Sequence, residues 1–336
     1  MLAIVLALGM TATGCSKSSK SGGSASEGEA ANSKTDSGAA AKSGGSTTWT
    51  AVKDRPFGEN YITSIAWGKD KFVAVGQSGK MAYSSDGVKW TAVSDSTFGR
   101  DGAVGGIAFG KDKFVAVGTV EGKMAYSSDG VKWTAVSDST FGQGSILAIA
   151  WGKDKFVAAG WDGKMAYSSD GVKWTAVSDS TFICPYISAI AWGNDKFVVG
   201  GWQGIMAYSS DGVKWTDAST LLIDFDISSI VFGKDKFVVG GEKGEMAYSS
   251  DGVKWTNVFD SPFDKNDVIR AIAWGNDKFV AVGWKGQIAY SSDGITWKAV
   301  SDNPFGKDGG ISAITYGKDK FVAGNRSGVI AYSTGK

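Results

Sequence analysis

The stretch "MAYSSDGVKWTAV", Met81–Val93, returns almost unchanged five more times along this chain. It belongs to a longer unit in which four landmarks recur, each seven times: an apolar segment ending in "AWG" or a variant, then "KFVAVG", then "AYS", then a tryptophan followed by Thr or Lys. The landmarks are short, bounded by glycine and rich in β-branched and aromatic residues, which is typical of β-strands. Four strands in a unit of about 41 residues predict the blade of a β-propeller.

The two ends of the repeat region predict how the ring closes. The region opens with a fourth landmark, "TTWTAV" (Thr47–Val52), which has no first three before it. It finishes with the first three, ending in "IAYSTGK" (Ile330–Lys336), with no fourth after them. We therefore expect an all-β, seven-bladed β-propeller over residues 47–336, with four antiparallel strands in each blade. The N-terminal strand would complete the last blade and cover two sheet edges that otherwise favour aggregation.

Composition excludes several classes of function. The chain has 336 residues, of which 43% are hydrophobic, enough for a large core, and its net charge of +1 argues against a nucleic-acid partner. It contains no histidine, so the commonest general base and a leading metal ligand are missing. We expect no metal, no cofactor and no catalytic residues. The two cysteines, Cys15 and Cys184, lie in different contexts, so no disulfide framework is expected.

The N-terminal segment predicts export. "MLAIVLALGMTATGC", Met1–Cys15, has an apolar run that is shorter than the roughly 20 residues a membrane-spanning helix needs, followed by small residues. "ATGC", Ala12–Cys15, resembles a bacterial lipobox. That resemblance implies a signal peptide over residues 1–14, a lipid such as palmitate on Cys15, and anchorage to a bacterial membrane on its periplasmic or cell-surface side. The alternative is an ordinary secretory signal with an incidental cysteine.

Residues 15–46 predict a tether between the lipid and the propeller. Ser16–Ser46 is built of Ser, Gly, Ala and Lys with some acidic residues, and it contains no aromatic residue. A segment of this composition cannot bury enough apolar surface to offset its ordering entropy. A flexible chain of this length spans about 30 Å on average.

An aspartate recurs in the turn after the third landmark. "SSDGVKW" and its variants resemble the Asp-box, or BNR repeat, of sialidase-type propellers, here with one residue fewer between Asp and Gly. The resemblance implies structural turns away from any ligand site. Turn chemistry predicts the same role, since Asp and Ser accept hydrogen bonds from nearby N–H groups and Gly takes a positive φ. A calcium site is the alternative, although each turn offers one carboxylate against the 6–8 oxygens calcium prefers. The six aspartates are Asp86, Asp129, Asp170, Asp211, Asp251 and Asp293.

Comparing the seven copies predicts which rim of the propeller binds ligands. In a four-stranded meander the first-to-second and third-to-fourth turns share one rim, and there the spacings do not change between copies. On the other rim the second-to-third turns and the connections between blades differ in length and chemistry. Binding residues usually lie on variable loops held by a rigid frame. The alternative is neutral drift in loops under weak constraint. Our candidates on this rim are Trp161, Trp202, Trp284, Arg100, Arg270, Arg326 and Glu242.

These features favour a non-catalytic, membrane-tethered, monomeric propeller that recognises a protein or a glycan partner. One alternative is a sialidase-like glycoside hydrolase, for which Asp224, Asp226, Glu242 and Glu245 offer carboxylates. Another is a role in assembling an envelope complex, similar to the propeller assembly factors of photosynthetic membranes. Cys184 lies on the variable rim with no activating partner nearby in sequence, so we expect an incidental thiol.

Overall fold

The computed structural model describes residues 48–178, 185–220, 222–306 and 309–334. Within these residues the strands form seven sheets of four antiparallel strands each, joined in a ring as the blades of a β-propeller. The predicted fold class is confirmed. Cys15, Cys184 and the tether lie outside the described residues, so the expectations about them stay predictions.

The first three blades follow one another along the chain. Their strands are β2 (Ile62–Gly68), β3 (Lys71–Gly76), β4 (Met81–Ser84) and β5 (Thr91–Ala92) in blade 1; β6 (Val104–Gly110), β7 (Lys113–Gly118), β8 (Met124–Ser127) and β9 (Thr134–Ala135) in blade 2; β10 (Ile146–Gly152), β11 (Lys155–Gly160), β12 (Met165–Ser168) and β13 (Thr175–Ala176) in blade 3.

The next three blades repeat this order. Their strands are β14 (Ile187–Gly193), β15 (Lys196–Gly201), β16 (Met206–Ser209) and β17 (Thr216–Asp217) in blade 4; β18 (Ile227–Gly233), β19 (Lys236–Gly241), β20 (Met246–Ser249) and β21 (Thr256–Asn257) in blade 5; β22 (Ile269–Gly275), β23 (Lys278–Gly283), β24 (Ile288–Ser291) and β25 (Lys298–Ala299) in blade 6. Short 3₁₀ turns follow the second strand at Gln77–Gly79, Trp202–Gly204 and Glu242–Gly244.

Blade 7 joins the two ends of the ring. It contains β26 (Ile311–Gly317), β27 (Lys320–Asn325) and β28 (Ile330–Thr334), and its outermost strand is β1 (Thr48–Ala51). Trp49 pairs with Ser333 in this antiparallel ladder, and its side chain is 6% exposed. The predicted composite blade is therefore confirmed.

The glycine of each "AWG" landmark holds neighbouring blades together. A Cβ atom on Gly68 would lie 2.0 Å from Cγ of Phe109 in blade 2, which means that the aromatic ring lies against the glycine backbone. The same contact is made at Gly110, Gly152, Gly193, Gly233 and Gly275, and Gly317 of blade 7 meets Trp67 of blade 1. Each aromatic also packs on the phenylalanine opposite it in its own blade, as Trp67 does on Phe72 at 4.4 Å. Aromatic and glycine are therefore needed together in every copy.

The aspartate of each turn binds backbone groups of its own turn. Asp86 Oδ1 accepts hydrogen bonds from the N–H groups of Val88 and Lys89, both at 2.8 Å, and Ser84 Oγ accepts one from Gly87 N–H at 2.8 Å. Gly87 has a φ of 74°. Burial alone would raise the pKa of Asp86, but these hydrogen bonds outweigh it and the pKa is lowered. The same bonds recur in the other five turns, which gives these carboxylates a structural use.

The rim with constant spacings, which carries the first-to-second and third-to-fourth turns, also makes hydrogen bonds between blades. Lys69 in the turn after β2 donates from Nζ to the carbonyl of Ser128 in blade 2, at 2.9 Å. Equivalent bonds run from Lys111, Lys153, Asn194, Lys234 and Lys318, the last of which reaches Ser85 and so joins blade 7 to blade 1. These bonds give a physical reason for the constancy of "GKDK" and "GNDK" in this rim. In the part of the chain that the structure describes, no helix is long and apolar enough to cross a membrane.

Candidate functional site

The innermost strands line a central channel, and a β-bulge near the start of each strand shapes its mouth. In blade 1 the register shifts between Ile62 and Ser64, so Thr63 is the extra residue. A bulge re-aims side chains and is frequent next to binding sites. The channel encloses a cavity of about 190 Å³ whose lining includes all seven bulge residues. They are Thr63, Gly105, Leu147, Ser188, Ser228, Arg270 and Ser312.

A second ring of side chains surrounds the mouth of the channel. The first residue after each second strand donates its backbone N–H to the carbonyl of the residue just before the innermost strand, as Trp284 does to Val268 at 2.9 Å. The bond is present in all seven blades, so these positions are equivalent in space as well as in sequence. We call them the mouth positions: Gln77, Thr119, Trp161, Trp202, Glu242, Trp284 and Arg326.

Three of the mouth positions hold exposed tryptophans. Trp161, Trp202 and Trp284 are 51%, 36% and 36% exposed, whereas the tryptophans of the fourth landmark are buried. Trp161 forms an isolated bridge with Tyr186 of the next blade, and the two rings lie 5.9 Å apart between centroids. Exposed aromatic side chains with one polar edge are favoured anchors in binding sites.

Arginine side chains lie against the third tryptophan. The guanidinium carbon of Arg326 is 3.7 Å from the centroid of the Trp284 ring, and that of Arg270 is 4.4 Å away. Arg326 also lies 5.3 Å from the ring centroid of Tyr61. Arginine stacks well on aromatic rings because its planar guanidinium is weakly hydrated. We call Arg270, Trp284, Arg326 and Tyr61 the arginine cluster.

Electrostatic effects tie the cluster to its neighbours around the mouth. Burial lowers the pKa of Arg270, Arg326 lowers it further, and Tyr61, Tyr186 and Glu242 act in the opposite direction. Partial burial raises the pKa of Tyr186, which Arg270 opposes and Asp226 reinforces. An arginine remains charged despite such a shift. The cluster is therefore a positively charged patch within an aromatic wall.

The carboxylates considered for hydrolysis lie in and beside blade 5. Asp226 precedes β18 and accepts a hydrogen bond on Oδ1 from Gln203 N–H at 2.7 Å. Glu242 donates its backbone N–H to the carbonyl of Asp226, so the two are neighbours at the mouth. Asp224 is exposed, and Glu245 follows the same turn as Glu242. In the described residues no group of three His, Cys, Asp or Glu side chains is arranged to hold a metal ion.

The structure brings most of the predicted binding residues together but not all of them. Trp161, Trp202, Trp284, Arg326 and Glu242 occupy mouth positions, and Arg270 reaches the same place from the bulge of β22. Arg100 is exposed on the connection between blades 1 and 2 and makes no ion pair or ring contact with the described residues. The sequence comparison overlooked Tyr61 and Tyr186. Both directly precede an innermost strand, a position at which the other copies carry Ala, Ser, Asp, Val and Gly.

Comparison with known proteins supports the fold alone. No family model and no curated protein matches the chain. Among solved structures, YCF48 from Cyanidioschyzon merolae is 18% identical, with a TM-score of 0.65 over 85% of this chain and 98% of that one. YCF48 bound to D1 peptide is 15% identical, with a TM-score of 0.68 over 86% and 97%. Virginiamycin B lyase from Staphylococcus aureus is 13% identical, with a TM-score of 0.71 over 86% and 99%.

Proposed function

We propose that this protein is a non-catalytic binding propeller that recognises a peptide segment of a protein partner through its mouth positions. The supporting observation is that the seven mouth positions are equivalent in space but differ in side chain, while the strands around them repeat. Three of the seven carry exposed tryptophans. Neutral drift tends towards small polar residues, and it does not account for a tryptophan, a tyrosine and two arginines in contact around one opening. That one structural neighbour has a peptide bound makes a peptide ligand a reasonable choice over a glycan.

A binding role fits the chemistry at the mouth better than catalysis does. One solved form of the lyase is a catalytically inactive variant in which a histidine is replaced by alanine, with Quinupristin present. The present chain contains no histidine. For hydrolysis of a glycoside, two carboxylates must flank the bond. Here Asp226 is engaged by the N–H group of Gln203. We therefore propose binding without turnover.

The decisive experiment compares the mouth tryptophans with an exposed aromatic elsewhere. The full-length chain with Cys15→Ser is applied to arrays of random dodecapeptides and of bacterial glycans. We expect selective peptide binding that Trp161→Ala, Trp202→Ala or Trp284→Ala weakens at least tenfold. Phe259→Ala is the matched control, because Phe259 is 90% exposed beside the outermost strand of blade 5. Equal loss in the control, or binding to glycans and to no peptide, would contradict the proposal.

Anchorage of the protein by a lipid on Cys15 is part of the same proposal. Because a single acyl chain binds a membrane only marginally, stable anchorage takes more than one chain. Labelled palmitate fed to an expressing bacterium should enter the protein and be lost in Cys15→Ala. Incorporation that survives this change would remove Cys15 from the proposal while leaving peptide binding untouched.

A further inference from the structure

The bulge position of blade 6 differs from its six equivalents. Those six hold Thr, Gly, Leu or Ser, and three of the hydroxyls donate to a carbonyl of the next blade: Thr63 to Val104, Ser188 to Ile227 and Ser312 to Ile62. Blade 6 instead carries Arg270, a long cation at the wall of the channel. The local frame therefore accepts a small residue here, so the arginine is not required to build the blade.

The charge of the arginine cluster is only partly balanced. Arg270 and Arg326 lie over the same ring although they repel one another. Glu242 acts on Arg270 from the neighbouring mouth position, but it is exposed and makes no ion pair with it. Within the described residues, one ion pair is formed, between Lys123 and Glu121 in blade 2, and it does not involve the arginine cluster. The two guanidinium groups and the Glu242 carboxylate, which acts on Arg270, sum to a net charge of +1.

Arg270 also has a buried hydrogen-bond donor. Its Nε atom is buried and has no acceptor among the described residues. A buried polar group without a partner costs about 1–3 kcal/mol, so such groups in proteins are few and need an explanation. A guanidinium edge presents Nε–H and a terminal N–H side by side, which matches the two oxygens of a carboxylate.

From these observations we propose that the arginine cluster is a subsite for one carboxylate group of a peptide ligand, bound at the channel mouth between Arg270 and Arg326. This rests on the proposed function and adds the chemistry that the ligand must carry. A net charge of +1 matches a carboxylate better than a doubly charged phosphate, which Glu242 would repel. The Trp284 ring lies against both guanidinium groups and the Tyr61 ring against that of Arg326. The burial of Arg270 strengthens its interaction with an anion. Neighbouring ligand residues would reach Trp202 or Trp161.

The chain is suited to a direct test by NMR, because it has four arginines and therefore four Nε–Hε signals. Signals are assigned with Arg→Lys variants in the full-length Cys15→Ser protein. The probes are acetate, acetyl-Gly-Ala-Ala with a free carboxylate, the same tripeptide amidated, and acetyl-Ala-Glu-Ala-amide. We expect saturable shifts of Arg270 and Arg326, with little change at Arg55 and Arg100. Each of the two carboxylate-bearing peptides should bind at least tenfold more tightly than the amidated tripeptide. The tighter of the two shows whether the site prefers a C-terminal or a side-chain carboxylate.

Several results would overturn the proposal. Equal shifts with the amidated peptide or with sodium sulfate at the same ionic strength would show that no carboxylate is recognised. Glucuronate binding tenfold more tightly than both peptides would assign the site to a sugar acid. Shifts at Arg270 in Asp308→Asn without ligand would show that a carboxylate of the chain itself occupies the cluster; Asp308 lies outside the described residues.

Variants separate this subsite from the peptide-binding rim. Arg270→Gln and Arg326→Gln should each weaken binding of the peptide carboxylate at least tenfold, and Arg270→Lys should weaken it less. Lys89→Gln, at an exposed residue on the opposite rim, should leave it unchanged. An unchanged urea midpoint shows that each variant is folded. If array peptides bind Arg270→Gln as tightly as they bind the parent, the carboxylate subsite is refuted, while peptide binding at the mouth positions still stands. If no array peptide binds but acetate still shifts the Nε–Hε signal of Arg270, peptide binding at the mouth positions is refuted, while the arginine cluster remains an anion site.

Discussion

The contact between glycine and aromatic ring predicts that a single methyl group between two blades will destabilise the whole ring. In Gly68→Ala the new Cβ would lie 2.0 Å from Cγ of Phe109. Carbon atoms in contact normally lie about 3.5–4.0 Å apart, so the ring has to retreat by about 1.5–2 Å. It has little room to do so, because it packs on Phe114 with centroids 4.8 Å apart, and Phe114 is fully buried. Overpacking of this kind costs about 1–3 kcal/mol, and we expect the upper end.

The measurement is urea unfolding followed by tryptophan fluorescence and circular dichroism. A loss of about 3 kcal/mol should lower the midpoint by about 1 M for a slope near 3 kcal/mol per M. Gly106→Ala is the matched control in the next interface, between blades 2 and 3, since its Cβ would lie 3.4 Å from Leu147 O and slightly farther from methyl groups of Val117 and Ile149. Alanine for glycine at a compatible position changes stability by about 0.4–1 kcal/mol or less, usually favourably.

A double-mutant cycle assigns the loss to the ring itself. Once Phe109→Ala has removed the aromatic side chain, adding Gly68→Ala should cost much less than it does alone, because the methyl group then enters vacated space. If Gly68→Ala unfolds at the same midpoint as Gly106→Ala, or if the two substitutions simply add, the contact does not hold the blades together as we describe.

Three further predictions follow from the same structure. Trp49→Ala should lower the free energy of unfolding by about 3–5 kcal/mol, as much as Trp90→Ala in blade 1, because both are buried at equivalent positions, Trp49 in β1 and Trp90 directly before β5; a clearly smaller loss at Trp49 in urea unfolding would mean that the ring closure contributes little. In acid, the lowered pKa of Asp86 means that its carboxylate stabilises the fold above the unfolded value of 3.8, and that this contribution is lost as the pH falls through the lower folded value; the urea midpoint should therefore fall below pH 3.8 less steeply in Asp86→Asn than in the parent. Lys318→Met removes an exposed bond to Ser85 and should change stability by less than about 0.5 kcal/mol in the same assay.

Much of the fold could be predicted because each blade repeats the same short-range chemistry. The strand after "AWG", the tight turn at "SSDG" and the tryptophan that follows are all local patterns, and seven copies leave little doubt about the unit. The closing strand could be predicted because the order of landmarks at the two ends is complementary. The interblade partner of each glycine could not, since Gly68 and Phe109 are 41 residues apart and nothing local marks their contact.

The candidate site was predictable only as a rim. Comparing copies indicated where the chain varies, and it selected Trp161, Trp202 and Trp284 because tryptophan is unusual in a variable turn. It gave no reason to join Arg270 to Arg326, which are 56 residues apart, or to include Tyr61 from the start of the first blade. These residues meet because the ring brings blades 6, 7 and 1 together around the channel.

By itself the sequence determined the number of blades, the strands within each blade, the closing strand and the rim that varies, because these depend on local patterns and on copy-to-copy comparison. The tertiary structure alone decided which variable side chains lie together. The β-bulge turns Arg270 into the channel, and ring closure sets Tyr61 beside Arg326. The contacts among these residues join different blades, so the sequence of a single repeat does not specify them.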